Sequence, residues 1–359
     1  MTRYPDPKRK SARSKAQWVS DGESAIQELI TTEYSVTHME IEAKISEKPG
    51  TFNHLQPHIL AQARKNLLRK SVIQRESRPT RGGRSVDTFS LTNSTASRRS
   101  VEKAAARKRT LTARYLQWAS GTPGQGLHTG IVGSSLENIL HESIRASSPS
   151  LGYRLNNPDT GKTEQIYDMT FGGSLDNACV WHDDDHNAVF QIVVEAKNLR
   201  EWIYPWSPEL YQLLSKSARL APFAEDAGQL IVPVLVCRRA HPTLFYMAKD
   251  LGFHVVDTTK QLINFGLVAG SEEDRLVNEV RAELGMLDIL DHDGKYERIV
   301  NQFVTTIPRR ALEIGRTWND VGSKLQSHYL TLRAGNQVRN AYKDLREGVT
   351  AIGIAIRSW

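Results

Sequence analysis

Hydrophobic and polar positions follow two different periods along this chain. Between about Pro57 and Lys70, Ile59, Ala63 and Leu67 recur at helical spacing with Leu60 and Leu68 beside them, which predicts an amphipathic helix. A shorter amphipathic run, SAIQELI, precedes it with Asp21 as its expected N-cap. Thr37-His-Met-Glu40 fits a capping box, so a second helix is expected to run to about Ile45 and to end at SEKPG. VIQRES and SVDTFSLT then alternate with period two and predict two strands joined by the arginine-rich Gly-Gly turn RPTRGGR. SRRSVEKAAARKRTLTARYLQWAS favours helix, and GTPGQG at 121–126 breaks it. From 127 to about 267 helix and strand patterns mix, and from 271 onward the pattern is helical again.

Length and charge refine this picture. A chain of 359 residues calls for more than one domain. Residues 1–118 hold 23 Lys/Arg against 11 Asp/Glu, whereas the remainder holds 24 against 29. A basic front on a mildly acidic back points to a module that binds a polyanion. Three helices followed by a basic hairpin resemble a winged helix-turn-helix domain over 21–92. That resemblance implies a third helix presenting His58, Gln62, Lys65, Asn66 and Arg69 to the major groove, with Arg75, Arg78, Arg81 and Arg84 on the wing. DNA binding by the N-terminal part is expected to be salt-sensitive and to survive deletion of 127–359.

The strongest chemical signal is GGSLDNACVWHDDDHNAVFQIVVEAKN, residues 172–198. LDNACVW and AVFQIVVEA are strand-like and HDDDHN is a polar turn. Folded as an antiparallel hairpin about residues 184–185, the segment brings Asp176 and Glu195 to the same end. Lys197, two residues beyond Glu195, projects from the same face. Two adjacent carboxylates oppose each other's ionisation unless a cation lies between them, and a hard divalent ion satisfies both. A lysine beside them orients a water or offsets negative charge.

These residues, Asp176 with Glu195-Ala196-Lys197, resemble the PD-(D/E)XK, or restriction-endonuclease-like, nuclease superfamily, with Leu175 where that family's proline stands. The resemblance spans about 130–260 and implies an α/β fold with an αβββαβ core. GSSLENILHESIR would be the leading helix, with Glu137, or alternatively Glu142, as its metal-site glutamate. SPELYQLLSKSARL would follow the hairpin and carry Tyr211 and the accessory Gln212. LIVPVLVCRR, HPTLFYMAKDLG and FHVVDT would be strand, helix and strand. Asp176, Glu195 and Glu137 would bind Mg2+, and Lys197 would position the attacking water. A second E-x-K, Glu42-Ala43-Lys44, is set aside because its capping box places it on a helix.

Other clusters read more plainly. His182, Asp183, Asp184, Asp185 and His186 read as a solvated turn, Asp168 sits in poorer register, and Arg238, Arg239 and His241 follow a strand end. Trp202, Tyr204 and Trp206 are expected to pack. No Walker-type glycine loop is present, so no nucleotide cofactor is expected. Cys179 and Cys237 lie in apolar runs, no stretch approaches 18 apolar residues, and the N-terminus lacks a secretory core. A cytoplasmic, intracellular and prokaryotic setting is therefore the expectation. The resulting organisation is a basic arm (1–20), a winged-helix domain (21–92), a basic helix and linker (93–126), a nuclease domain (127–270) and a helical C-terminal extension (271–359). The expected activity is Mg2+-dependent, site-specific double-strand DNA cleavage by a homodimer. Nucleases directed by DNA structure, methylation or transposon ends, and a winged-helix transcription regulator with an inert α/β domain, are the alternatives.

Overall fold

A computed structural model describes residues 14–47, 55–80, 85–120, 130–264, 271–335 and 338–354. In chain order the elements are α1 (Lys15–Glu33), α2 (His38–Ile41), α3 (Pro57–Arg69), β1 (Ile73–Pro79), β2 (Ser85–Leu91), α4 (Arg98–Ala119) and α5 (Ile131–Leu151). Next come β3 (Arg154–Leu155), β4 (Thr163–Ile166), β5 (Met169–Leu175), β6 (Asn177–Asp183), β7 (Ala188–Lys197), α6 (Pro208–Asp226), β8 (Gln229–Cys237), α7 (Pro242–Leu251) and β9 (His254–Asp257). The chain ends with β10 (Gln261–Ile263), α8 (Ser271–Leu284), β11 (Ile289–Asp291), α9 (Glu297–Asn301), α10 (Ile307–Asp320), α11 (Gln326–Arg333) and α12 (Val338–Ala351). The protein is mixed α/β. Among the described residues no helix is long and apolar enough to cross a membrane.

The chain divides into two compact units, and each is built from two stretches of sequence: 1–131 with 265–290, and 132–264 with 291–359. In the first unit α1 packs on α3, and Ile26, Ile30, Ile41, Ile59, Leu60, Ala63, Leu67 and Phe89 form the core. β1 and β2 pair antiparallel, and Val36 adds a short bridge to Phe89. A helix begins within the segment expected to be a basic arm (1–20). Ser14 and Gln17 form a reciprocal capping box that starts α1 at Lys15, so Asp21 lies inside the helix rather than at its cap. Thr37 does cap α2, but Glu40 turns inward, and a π-helical turn continues the helix to Ser46. The Glu42-Ala43-Lys44 tripeptide lies on this helix, as expected. Residues 1–13, most of SEKPG and GTPGQG lie outside the described residues.

α4 is not a linker. Its buried face holds Ala105, Leu111, Tyr115 and Trp118, and also Lys108 and Arg109. Lys108 donates to Glu33 (2.9 Å), to Glu40 (2.5 Å) and to the Glu283 carbonyl of α8 (2.7 Å), while Arg107 pairs with Glu279 and Glu283. Glu40 is fully buried and also holds Lys44 at 2.7 Å. Breaking such a buried charge set by removing one member is costly, because the others stay desolvated.

The second unit is a five-stranded sheet of order β3-β6-β7-β8-β9. β6 pairs antiparallel with both β3 and β7, and β7, β8 and β9 run parallel, linked by α6 and α7. β7 and β8 read as continuous apolar runs because both sheet faces are covered. One face carries Val193, Ile231, Leu235, Cys237 and Val255 and packs against α6, the β4–β5 hairpin and the C-terminal helices. Residues 291–354 are therefore part of this unit rather than an extension of it: Trp318, Tyr329, Leu332 and Leu345 are core side chains.

Candidate active site

The register of β6 and β7 fixes the site. Asn177 pairs with Val194, and the Asp176 N–H donates to the Val194 carbonyl at 3.2 Å, so Asp176 lies opposite Glu195. The turn Asp184–Asn187 closes the hairpin where the polar run predicts it. Asp176 occupies the link between β5 and β6, and its Oδ2 accepts the Ala196 N–H at 2.6 Å. Glu195 and Lys197 share the face of β7 that packs against α6, and Lys197 Nζ donates to Glu195 Oε2 at 3.0 Å.

Glu137 on α5 lies near enough to act on this group through its charge. Lys162 holds its carboxylate at 2.9 Å, and the Glu137 charge acts on both Asp176 and Lys197. Glu142, five residues further along α5, pairs instead with Arg145 (2.6 Å). The end of β7 is tied to the start of α5 by Asn198, whose amide donates to the carbonyls of Val132 and Leu262, each at 2.6 Å. Beneath Asp176, Asn177 donates to His141 Nδ1 at 3.2 Å, and Gly161 closes over this pair. Gly161 has φ +74°, and a side chain there would run into Asn177 and His141.

Lys216, like Lys162, is a member that sequence reading misses. It lies on the buried side of α6, 4% exposed, and donates to the Ser174 carbonyl (2.6 Å) and to Glu195 Oε1. The available signal is a lone lysine among Leu213, Ser217 and Leu220 on the apolar side of a helix. Gln212 lies one turn earlier, half-buried. Tyr211 is a core residue whose hydroxyl donates to the Pro205 carbonyl at 2.5 Å, so no site role falls to it.

Burial and the Glu195 charge push the Asp176 carboxyl up to about 7, against the opposing pull of Lys197 and the Ala196 N–H. Burial acts in the same upward direction on Glu195, but Lys197 and Lys216 outweigh it and hold that carboxyl below its usual range. For Lys197, desolvation is outweighed by Glu195 and Asp176, and its ammonium is held above the usual lysine range. The arrangement is thus one carboxyl that resists ionisation beside one locked in the charged form.

Among the described residues no three His, Cys, Asp or Glu side chains converge as a ready-made metal cluster. Asp176 and Glu195 are buried carboxylates that oppose each other's ionisation, which a hard divalent cation between them would relieve, but Lys197 and Lys216 already hold both Glu195 oxygens. The HDDDHN turn stays a turn, with Asp183 accepting from the Asp185 N–H and pairing with His186. Asp168 is exposed in the β4–β5 turn. Arg238 is buried and donates to the Leu199 carbonyl, and His241 caps α7. Tyr204 stacks between Trp206 and His241, each 4.8 Å away.

In the first unit the expected groove face divides. His58, Lys65 and Arg69 are exposed. Gln62 and Asn66, expected to meet base edges, are instead engaged within the unit: Gln62 donates to Asn66, and Asn66 donates to Glu23 of α1 at 2.9 Å. On the hairpin, Arg75 pairs with Asp87 and Arg78 with Glu76, while Arg81 and Arg84 lie outside the described residues. No family model matches this chain, and no curated protein matches it.

Proposed function

We propose that the chain is a divalent-cation-dependent, site-specific double-strand DNA endonuclease of the restriction-like PD-(D/E)XK kind, with its first unit binding DNA as a winged helix-turn-helix domain. The observation that carries the reading is the meeting of Asp176, Glu195 and Lys197 at one end of a buried hairpin, with Glu137 beside them. Mg2+ would be held by Asp176 and Glu195, with Glu137 as the third ligand of this reading, and would supply Lewis-acid stabilisation of a phosphate oxygen. Lys197 orients the attacking water and offsets charge as the phosphorus–oxygen bond to the leaving nucleotide breaks. The Ala196 N–H fixes the Asp176 carboxylate, so this ligand is positioned before substrate arrives. Two opposed cuts need two such sites, so a homodimer is part of the proposal.

Supercoiled plasmid incubated with the pure protein and Mg2+ tests the reading: discrete fragments are expected. Asp176→Ala and Lys197→Ala are expected to lose cleavage while retaining DNA binding. Wild-type cutting by either variant removes the assignment. Absence of cleavage on modified and unmodified DNA with any divalent metal removes the activity.

A further inference from the structure

Three carboxylates, Glu137, Asp176 and Glu195, share the site with three lysines, Lys162, Lys197 and Lys216. With every group ionised the cluster is electrically balanced without any added ion. A divalent cation entering such a set adds two uncompensated charges to a buried place and competes directly with the ammonium that holds its ligand oxygen; withdrawal of one ammonium offsets one of those charges and frees the oxygen. The three lysines differ in their freedom to do so. Lys162 serves Glu137 from the exposed side, 54% accessible. Lys197 is the residue placed to meet water. Lys216 is buried, comes from a different element, and occupies the Glu195 oxygen that Lys197 leaves open: Lys197 takes Oε2 and Lys216 takes Oε1. It also has a second acceptor, the Ser174 carbonyl at the end of β5. An ammonium released from Glu195 therefore still has a hydrogen-bond partner within reach of its flexible stem.

We propose that Lys216 is the internal counter-ion of the metal site: it holds Glu195 Oε1 in the metal-free protein and gives up that oxygen to the incoming divalent cation, keeping cation affinity low until substrate phosphate arrives. The inference rests on the reading of Asp176 and Glu195 as metal ligands. Lys216 is a positioning residue in this scheme and touches no reacting atom. It follows that cation and DNA bind cooperatively, since the phosphate restores the charge balance that the cation upsets.

The test is Mn2+ binding to the full chain, followed by calorimetry and by the loss of the free-ion EPR signal, without DNA. Lys216→Met removes the competing charge at similar length and is expected to tighten Mn2+ binding by about tenfold, the screened end of the Coulomb range for a cation a few ångströms away. Lys216→Arg keeps the charge and is expected to stay near the wild-type affinity. Glu195→Gln is expected to abolish binding at the site. If Glu195→Gln abolishes binding while Lys216→Met leaves it unchanged or weaker, Lys216 is a structural lysine and this inference fails while the metal site stands. If Glu195→Gln and Asp176→Asn both bind Mn2+ as the wild type does, the metal site itself is misplaced and both readings fall. Should Lys216→Met not fold, a crystal structure of the wild type with Mn2+ decides: Lys216 Nζ is expected beyond hydrogen-bond distance of Glu195, and an intact Lys216–Glu195 pair beside a bound ion overturns the inference.

Discussion

At the scale of single residues, Asp176 carries the clearest physical signature. Its carboxyl sits at about 7 in the folded chain against an ordinary value of 3.8, first through burial and then through the Glu195 charge. The folded state therefore holds this proton more tightly than the unfolded state does. The associated stability is fully present below the unfolded value and is lost as pH rises through about 7. Asp176→Asn has no proton to lose, so in EDTA the wild type is expected to fall behind the variant between about pH 6 and about pH 8.5, by on the order of 1–2 kcal/mol. Urea denaturation at the two pH values checks this, and parallel behaviour of the two proteins removes Asp176 as the titrating group. Asp176, Glu195 and Lys197 were legible in the sequence because a hairpin's register follows from its turn and its alternation. Lys162 and Lys216 were not. One comes from a loop and the other from a helix after the hairpin, and nothing local to either residue marks Glu137 or Glu195 as its partner.

At the scale of elements, two joints invite measurement. Gly252 ends α7 with φ +77°, and a side chain there would strike the backbone of α10 at Trp318 and Ile314. Gly252→Ala meets both backbone strain and a rigid neighbour, so a loss of about 2–3 kcal/mol is expected in urea denaturation, where an unchanged midpoint would show that α10 gives way freely. In the first unit, Lys108→Met leaves Glu40 buried with Lys44 as its remaining ammonium partner. The expected loss is about 3–5 kcal/mol, read as a lowered unfolding midpoint, and near-neutral behaviour would mean that the apolar replacement satisfies the site. β7, β8, α7 and β9 were readable because apolar runs of strand length alternate with an amphipathic helix. The start of α1 was missed because its Ser14 cap lies before a polar first turn. The helix α4 was legible, but its packing into the first unit was not, because its buried face includes Lys108, Arg109 and Thr112, residue types that pattern reading assigns to solvent.

At the scale of the whole molecule, charge makes the prediction. The excess of Lys/Arg over Asp/Glu in residues 1–118 favours binding to a duplex through phosphates, so log Kd for a duplex is expected to rise steeply with log salt, by roughly 0.9 per phosphate neutralised. Lys65→Gln with Arg69→Gln removes two exposed cations and is expected to lower that slope by about 2, whereas an unchanged slope would take α3 off the DNA. The two units are each built from two stretches of chain, a connectivity that the sequence does not display, because no local pattern marks α8 as the partner of α4. A chain cut at 126 loses α8, with the Glu279 and Glu283 partners of Arg107 and the Glu283 carbonyl that receives Lys108, so the first unit is not a fragment that ends there. The same interleaving sets an order of events on the ribosome. The strands of the second unit, through β9, are all synthesised before α8 is made. α4 leaves the ribosome first and waits roughly 10–30 s at ordinary elongation rates for the helix that completes its surroundings. During that interval Lys108 has Glu33 and Glu40 but lacks its third acceptor, so the basic unit matures only after the sheet that carries the carboxylates has been laid down.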